Sequence, residues 1–100
     1  MKLQHHASTL QASELTELNS TNAAAFRDAV RAALTDATTT VDVDLSLTRF
    51  LDSSGLGALI ALQKTLAARH GSVRILNPTP TAQQILELTR LHRVFEIVRT

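Results

Sequence analysis

One segment of the sequence has residue types suited to chemistry: Asp52–Gly57, which reads DSSGLG. It follows an apolar strand pattern and precedes a helical one, and open α/β sheets collect functional groups at such junctions. Its glycines permit a tight turn and the close approach of another molecule. Free N–H groups and the positive end of the helix dipole favour negative charge there. The segment therefore predicts a serine positioned to carry a phosphate.

Other chemical uses of this segment fit its spacing less well. Ile60 stands where a dinucleotide-binding fingerprint has its third glycine, and the Gly-Lys-Ser/Thr ending of a phosphate-binding loop does not occur. A nucleophile elbow needs glycine two residues before its serine, where Ser53 has Leu51. Nucleotide binding and serine hydrolysis are therefore disfavoured. A structural alternative stays open, in which Asp52 or Ser53 only caps the helix, although Leu56 replaces the Glu or Gln of a capping box.

The other polar candidates do not indicate a catalytic or metal site. Asp42 and Asp44 share a strand face and could resemble paired acids, but we expect strand-end or exposed-face carboxylates. The four histidines show no recognised ligand spacing, so we expect solvated surface side chains and assign no metal or cofactor. These histidines are His5, His6, His70 and His92.

Composition limits the classes of function. Ten Lys and Arg against nine Asp and Glu in 100 residues give a net charge of +1, which disfavours a nucleic-acid partner. The absence of cysteine excludes disulfides and thiol chemistry, and a reducing cytoplasm is the simplest location. The apolar run Leu56–Leu62 is far shorter than the ~20 residues that cross a bilayer, and no export signal is recognised. We therefore expect a cytoplasmic protein without direct membrane insertion.

The sequence pattern alternates strands and helices, which predicts a mostly parallel sheet. Strands are predicted at 8–15, with Leu3 in a very short partner strand, and at 41–47, 73–76 and 95–98. Three helices are predicted. The first covers 22–34, and the second runs from the serine segment, Asp52–Gly57, to a C-terminal cap at Gly71. The third follows Thr79, with Pro80 as its first helical residue.

With these elements in order, the chain resembles a STAS domain of the anti-sigma factor antagonist type. The resemblance is carried by Val43–Ser46, by Phe50–Gly57, and by Glu17–Asn19 before the first helix. It extends through Asn77–Pro78 and the Leu86–Leu91 helix. It implies a single domain over residues 1–100 with a four- to five-stranded sheet and a C-terminal helix that is shortened or absent.

The resemblance also implies a function. In that family the first serine of the motif, here Ser53, is phosphorylated by a partner that is both anti-sigma factor and serine kinase. The unphosphorylated form binds this kinase, and a separate phosphatase, of the PP2C type, resets the switch. The chain would then be a bacterial regulatory protein and not an enzyme. The expected partner surface consists of Asn19, Ser20, Asp52, Ser53, Ser54, Gly55 and Leu56.

Two alternatives differ in class. The short ends resemble the small STAS subunits of bacterial phospholipid-transport ABC systems, which bind and stabilise the transporter ATPase. Those subunits usually depart from a full Asp-Ser-Ser-Gly-Leu turn, so this interpretation comes second. A small α/β enzyme comes third, because the catalytic motifs are missing.

Overall fold

Strands and helices alternate along the whole chain, of which the computed structural model describes residues 1–100. The elements are β1 (Lys2–His6), β2 (Thr9–Ser13), β3 (Glu17–Leu18), α1 (Ala23–Ala33), β4 (Thr40–Asp44), β5 (Phe50–Leu51), α2 (Ser53–Ala67), β6 (Ser72–Leu76), α3 (Pro80–Leu88), a 3-10 turn (Leu91–Arg93) and β7 (Glu96–Val98). None of these helices combines the length and the apolar character that a bilayer-crossing segment requires.

The main sheet has five strands in the order β1-β2-β4-β6-β7. Only β1 and β2 are antiparallel, so the mostly parallel five-stranded sheet is confirmed. The predicted partner strand exists as β1, which is five residues long and pairs Leu3 with Ala12. A separate parallel pair, β3 with β5, was not predicted and lies next to the serine segment.

One face of the sheet packs against the helices through aliphatic side chains. Alternate residues of β4 and β6 are buried there, as the period of two requires. All three helices contribute to the same buried cluster, through side chains such as Phe26, Leu59 and Leu86. This single core holds the carboxyl ends of the parallel strands together at one edge, where the serine segment begins.

The other face of the sheet carries a row of polar side chains. One of them, Asp42, differs from the expectation of an exposed carboxylate. Gln11, Asp42, Arg74 and Glu96 are neighbours across the strands. Asp42 is not a solvated carboxylate: it is buried, and both its oxygens accept hydrogen bonds of 2.7 Å from the Arg74 guanidinium. Asp44 does lie at a strand end, as expected.

Two predicted element boundaries are wrong. The strand predicted to run to Leu47 ends at Asp44, because the Asp44 carboxylate accepts from the Ser46 N–H at 2.8 Å and turns the chain. The left-handed residue after α2 is His70, with φ of 62°, and not Gly71. Gly71 is required one position later, since a Cβ there would overlap the Thr39 carbonyl oxygen.

Candidate functional site

The Asp52 carboxylate organises the start of α2. Its Oδ1 accepts a hydrogen bond from the Gly55 N–H at 3.0 Å, and its Oδ2 accepts one from the Ser20 N–H at 3.1 Å. One side chain therefore caps the helix and joins it to the loop before α1. We call residues Asp52–Leu56 the serine turn.

Gly55 lets the two segments come into contact through their backbones. A Cβ on Gly55 would overlap the carbonyl oxygen of Leu18, an atom that cannot move independently of β3. The N–H of Asp52 points to the same carbonyl at 3.4 Å. The segments around Asn19 and Ser53 are adjacent for this reason, and most of the predicted site residues are brought together.

The loop before α1 is built by two asparagine side chains. The Asn19 Oδ1 accepts from the N–H of Thr21 at 3.0 Å, and its Nδ2 donates to the Glu17 carboxylate at 3.1 Å. The Asn22 Oδ1 accepts from the Asn19 N–H at 2.9 Å, and its Nδ2 donates to the Glu17 carbonyl at 2.8 Å. Asn22 starts α1 but makes no side-chain cap to it. These hydrogen bonds shape the loop that presents Ser20.

The residues of the serine turn differ in exposure. Ser53 and Ser54 are exposed, and Asp52 is half-buried. Leu56 is only 7% exposed and belongs to the core cluster, so the expectation that its side chain lies on the surface beside Ser53 is wrong. Gly55 is buried too. Gly55 and Leu56 fasten the turn, and the two serines face solvent.

The side chain that caps α2 is that of Asp52 and not that of Ser53. Asp52 has extended backbone angles at the N-cap and makes the side-chain cap, whereas Ser53 is the first residue of the helix. Helix capping therefore explains why Asp52 is present and leaves the Ser53 hydroxyl without a capping role. The hydroxyl lies at the positive end of a 15-residue helix, where an added phosphate would be tolerated.

Thr48 and Thr79 fix the loop before β5 through long-range hydrogen bonds that the sequence does not reveal. The hydroxyl of buried Thr48 donates to the Leu15 carbonyl at 2.7 Å, and the Thr79 hydroxyl donates to the Thr48 carbonyl at 2.8 Å. Thr79 also caps α3 by accepting from the Ala82 N–H at 3.2 Å. Only the capping role is visible in the sequence, because the other contacts join residues 31 and 33 positions apart.

The site holds no arrangement of metal ligands. No three His, Asp or Glu side chains of the chain gather into a group that could hold an ion. The chemistry that the arrangement allows is modification of an exposed serine and recognition of the surface around it.

A protein-family comparison matches nearly the whole chain. The family model described as "Mlab, STAS domain" matches residues 2–99. No curated protein sequence matches the chain significantly.

Several solved structures have the same fold. The anti-sigma factor antagonist tm1081 of Thermotoga maritima, described as putative, superimposes with a TM-score of 0.89 at 22% identity, over 99% of this chain and 85% of that one. An anti-sigma factor antagonist from Mycobacterium paratuberculosis gives 0.85 at 26% identity, over 99% and 84%. The antagonist SpoIIAA in its unphosphorylated form gives 0.86 at 24% identity, over 99% and 86%.

Proposed function

The chain belongs to the STAS domain family, and on that premise we propose that it acts as an anti-sigma factor antagonist. It binds a kinase-type anti-sigma factor while Ser53 is unphosphorylated, and phosphorylation of Ser53 weakens the complex. A PP2C-type phosphatase reverses the modification, and the chain itself catalyses no reaction. The setting is the bacterial cytoplasm.

The exposed Ser53 hydroxyl carries this proposal. It stands at the first position of α2, in solvent, while the neighbouring Asp52 makes the cap. A kinase can therefore reach the hydroxyl without unfolding the helix. The backbone around it is fixed by the Asp52 contacts to Gly55 and Ser20.

A phosphate at Ser53 would act on the surface more than on the fold. It adds about −1.5 to −2 charges at neutral pH, and the helix N-terminus favours negative charge. The Asp52 carboxylate next to it opposes that charge, but both groups border solvent, where charge repulsion is screened. The main change is thus the charge that a docked protein meets.

A relative supports the idea that such a fold accommodates both states. SpoIIAA has been solved in an unphosphorylated form and, from Bacillus, in a phosphorylated form. This chain superimposes on the two with TM-scores of 0.86 and 0.79.

Labelling with a purified kinase-type anti-sigma factor and radioactive ATP tests the proposal. We expect label on the wild type and on Ser54→Ala, and none on Ser53→Ala. The two alanine variants are matched, because both serines are exposed and adjacent. Equal labelling of Ser53→Ala and wild type would remove Ser53 from the switch.

A second function is favoured by the description of the matching family model, "Mlab, STAS domain". In this alternative the chain is the small STAS subunit of a phospholipid-transport ABC system, and the surface around the serine turn binds the transporter ATPase and stabilises it.

Binding to two purified ATPases separates the functions. The antagonist function predicts binding to the histidine-kinase-like anti-sigma factor and dissociation after phosphorylation. The transporter function predicts binding to the ABC ATPase, a higher melting temperature of that ATPase in the complex, and no response to the kinase.

A further inference from the structure

Phe50 is the only phenylalanine of the chain whose side chain is exposed to solvent. Phe26 and Phe95 are buried, whereas Phe50 is 63% exposed and Leu47 is 54% exposed. Exposed apolar side chains that form a patch mark interaction sites, whereas single ones need no explanation. Arg49 lies between these two residues in the chain. We call Leu47, Arg49 and Phe50 the Phe50 patch.

The backbone under the patch is anchored. Thr48 is buried and bonded through its hydroxyl to the Leu15 carbonyl, and its own carbonyl accepts from Thr79. The N–H of Arg49 donates to the Thr16 carbonyl at 2.9 Å. The exposed side chains therefore stand on fixed backbone. Such an arrangement loses little freedom on binding, which favours affinity.

The patch is continuous with the serine turn. Phe50 lines one shallow depression together with Asn19 and Asp52, and a second one together with Glu17 and Leu47. A protein that covers the serine turn from this side would also cover Phe50.

The patch also carries one positive charge that no ion pair neutralises, although the carboxylates of Glu17 and Asp52 line the same two depressions. The ion pairs of the chain are Arg27 with Asp28 and Arg74 with Asp42, and Arg49 is in neither. Aromatic side chains, phenylalanine included, and arginine are both enriched in protein interfaces. The matching surface is an apolar pocket bordered by carboxylates.

We propose that the Phe50 patch is a constant anchor for the kinase-type anti-sigma factor, which receives Phe50 in an apolar pocket bordered by carboxylates. The inference rests on the proposed function: the patch supplies basal affinity, and Ser53 modulates it. A second copy of this chain fits less well, because a twofold contact centred on the patch would bring each Arg49 near the other. The surface area that Leu47 and Phe50 could bury is also far below the roughly 1,200–2,000 Å² that a stable dimer interface buries.

Calorimetric titration with the purified kinase-type anti-sigma factor tests the anchor. We expect Phe50→Ser to bind at least about tenfold more weakly than wild type, as for a central interface residue. Val94→Ser is the matched control, since Val94 is 48% exposed and precedes the amino end of β7, at the opposite edge of the sheet. It should bind as wild type does.

Arg49→Glu is a second variant that tests the charge. It should weaken binding and reduce the loss of affinity on adding salt, and all variants should melt as wild type does. If wild type binds and Phe50→Ser binds equally well, the anchor is overturned while the proposed function stands. If wild type does not bind, the proposed function fails and the anchor with it. A wild-type dimer in sedimentation that Phe50→Ser dissociates would assign the patch to self-association and overturn the inference.

Discussion

At the residue scale, Gly55 and Gly57 lie two positions apart in α2 but have different surroundings. A Cβ at Gly55 would overlap the backbone oxygen of Leu18, whereas a Cβ at Gly57 would meet nothing within 4 Å. In a helix, glycine without such a constraint only costs stability relative to alanine. The two glycines therefore have different roles, although the sequence presents them as one motif.

We expect Gly57→Ala to raise the free energy of unfolding by about 0.5–1 kcal/mol, because it restricts the unfolded chain without a clash. Gly55→Ala should lower it by about 1–3 kcal/mol, because β3 must move away from α2. Urea denaturation of the pair measures both. A stabilised Gly55→Ala would contradict the close backbone contact.

At the element scale, β4 and β6 are joined by the Asp42–Arg74 pair on the polar face of the sheet. The hydrogen bonds to Asp42 raise the pKa of Arg74 above its usual value, and desolvation acts in the opposite direction. A raised pKa of a base stabilises the fold below its unfolded-state pKa, and this contribution is lost only as pH rises through the folded-state value. Arg74 therefore adds no pH dependence to stability in the roughly neutral range.

Removing Arg74 and removing Asp42 should lower the free energy of unfolding by different amounts. The Asp42 side chain is 10% exposed and that of Arg74 is 34% exposed. We expect Arg74→Met to cost about 1–3 kcal/mol, because it leaves a buried carboxylate unpaired. Asp42→Asn should cost less, since the arginine can turn to water. Thermal denaturation at neutral pH compares them, and a larger loss in Asp42→Asn would contradict this assignment of burial.

Local sequence patterns correctly predict two of the helices. The helix predicted at 22–34 is found at Ala23–Ala33, and α3 begins at Pro80 after a Thr79 cap, as predicted. Periodicity and capping are local, so the sequence contains them. The end of β4 was missed because the Asp44 side chain competes with strand pairing in a way that alternation does not reveal.

At the scale of the whole molecule, the proposed switch requires a surface that changes while the core does not. Ser53 lies outside the buried cluster, and the contacts that hold the serine turn involve Asp52, Gly55 and Leu56. A charge at Ser53 therefore alters what a partner meets without removing a core contact.

We expect Ser53→Asp to melt within about 4 °C of wild type, which corresponds to roughly 1 kcal/mol for a domain of this size. Its affinity for the kinase-type anti-sigma factor should fall at least about tenfold, because the charge faces the docked protein. Circular dichroism and calorimetry give the two quantities, with Ser54→Ala as control. Gross unfolding of Ser53→Asp, or an unchanged affinity, would refute a surface switch.

The sequence by itself determined the alternating elements, the mostly parallel sheet and the serine turn at a helix start. These follow from periodicity, capping and residue type, which neighbours along the chain define. Only the tertiary structure decided that Asp52 and not Ser53 makes the cap, that Leu56 is buried, that Asp42 is paired with Arg74, and that Phe50 stands in water. The burial of Leu56, the Asp42–Arg74 pair and the exposure of Phe50 depend on which distant segments come into contact, and a pattern along one chain does not contain that information. The cap is a local contact, but Asp and Ser are both common N-cap residues, so residue type alone left that choice open.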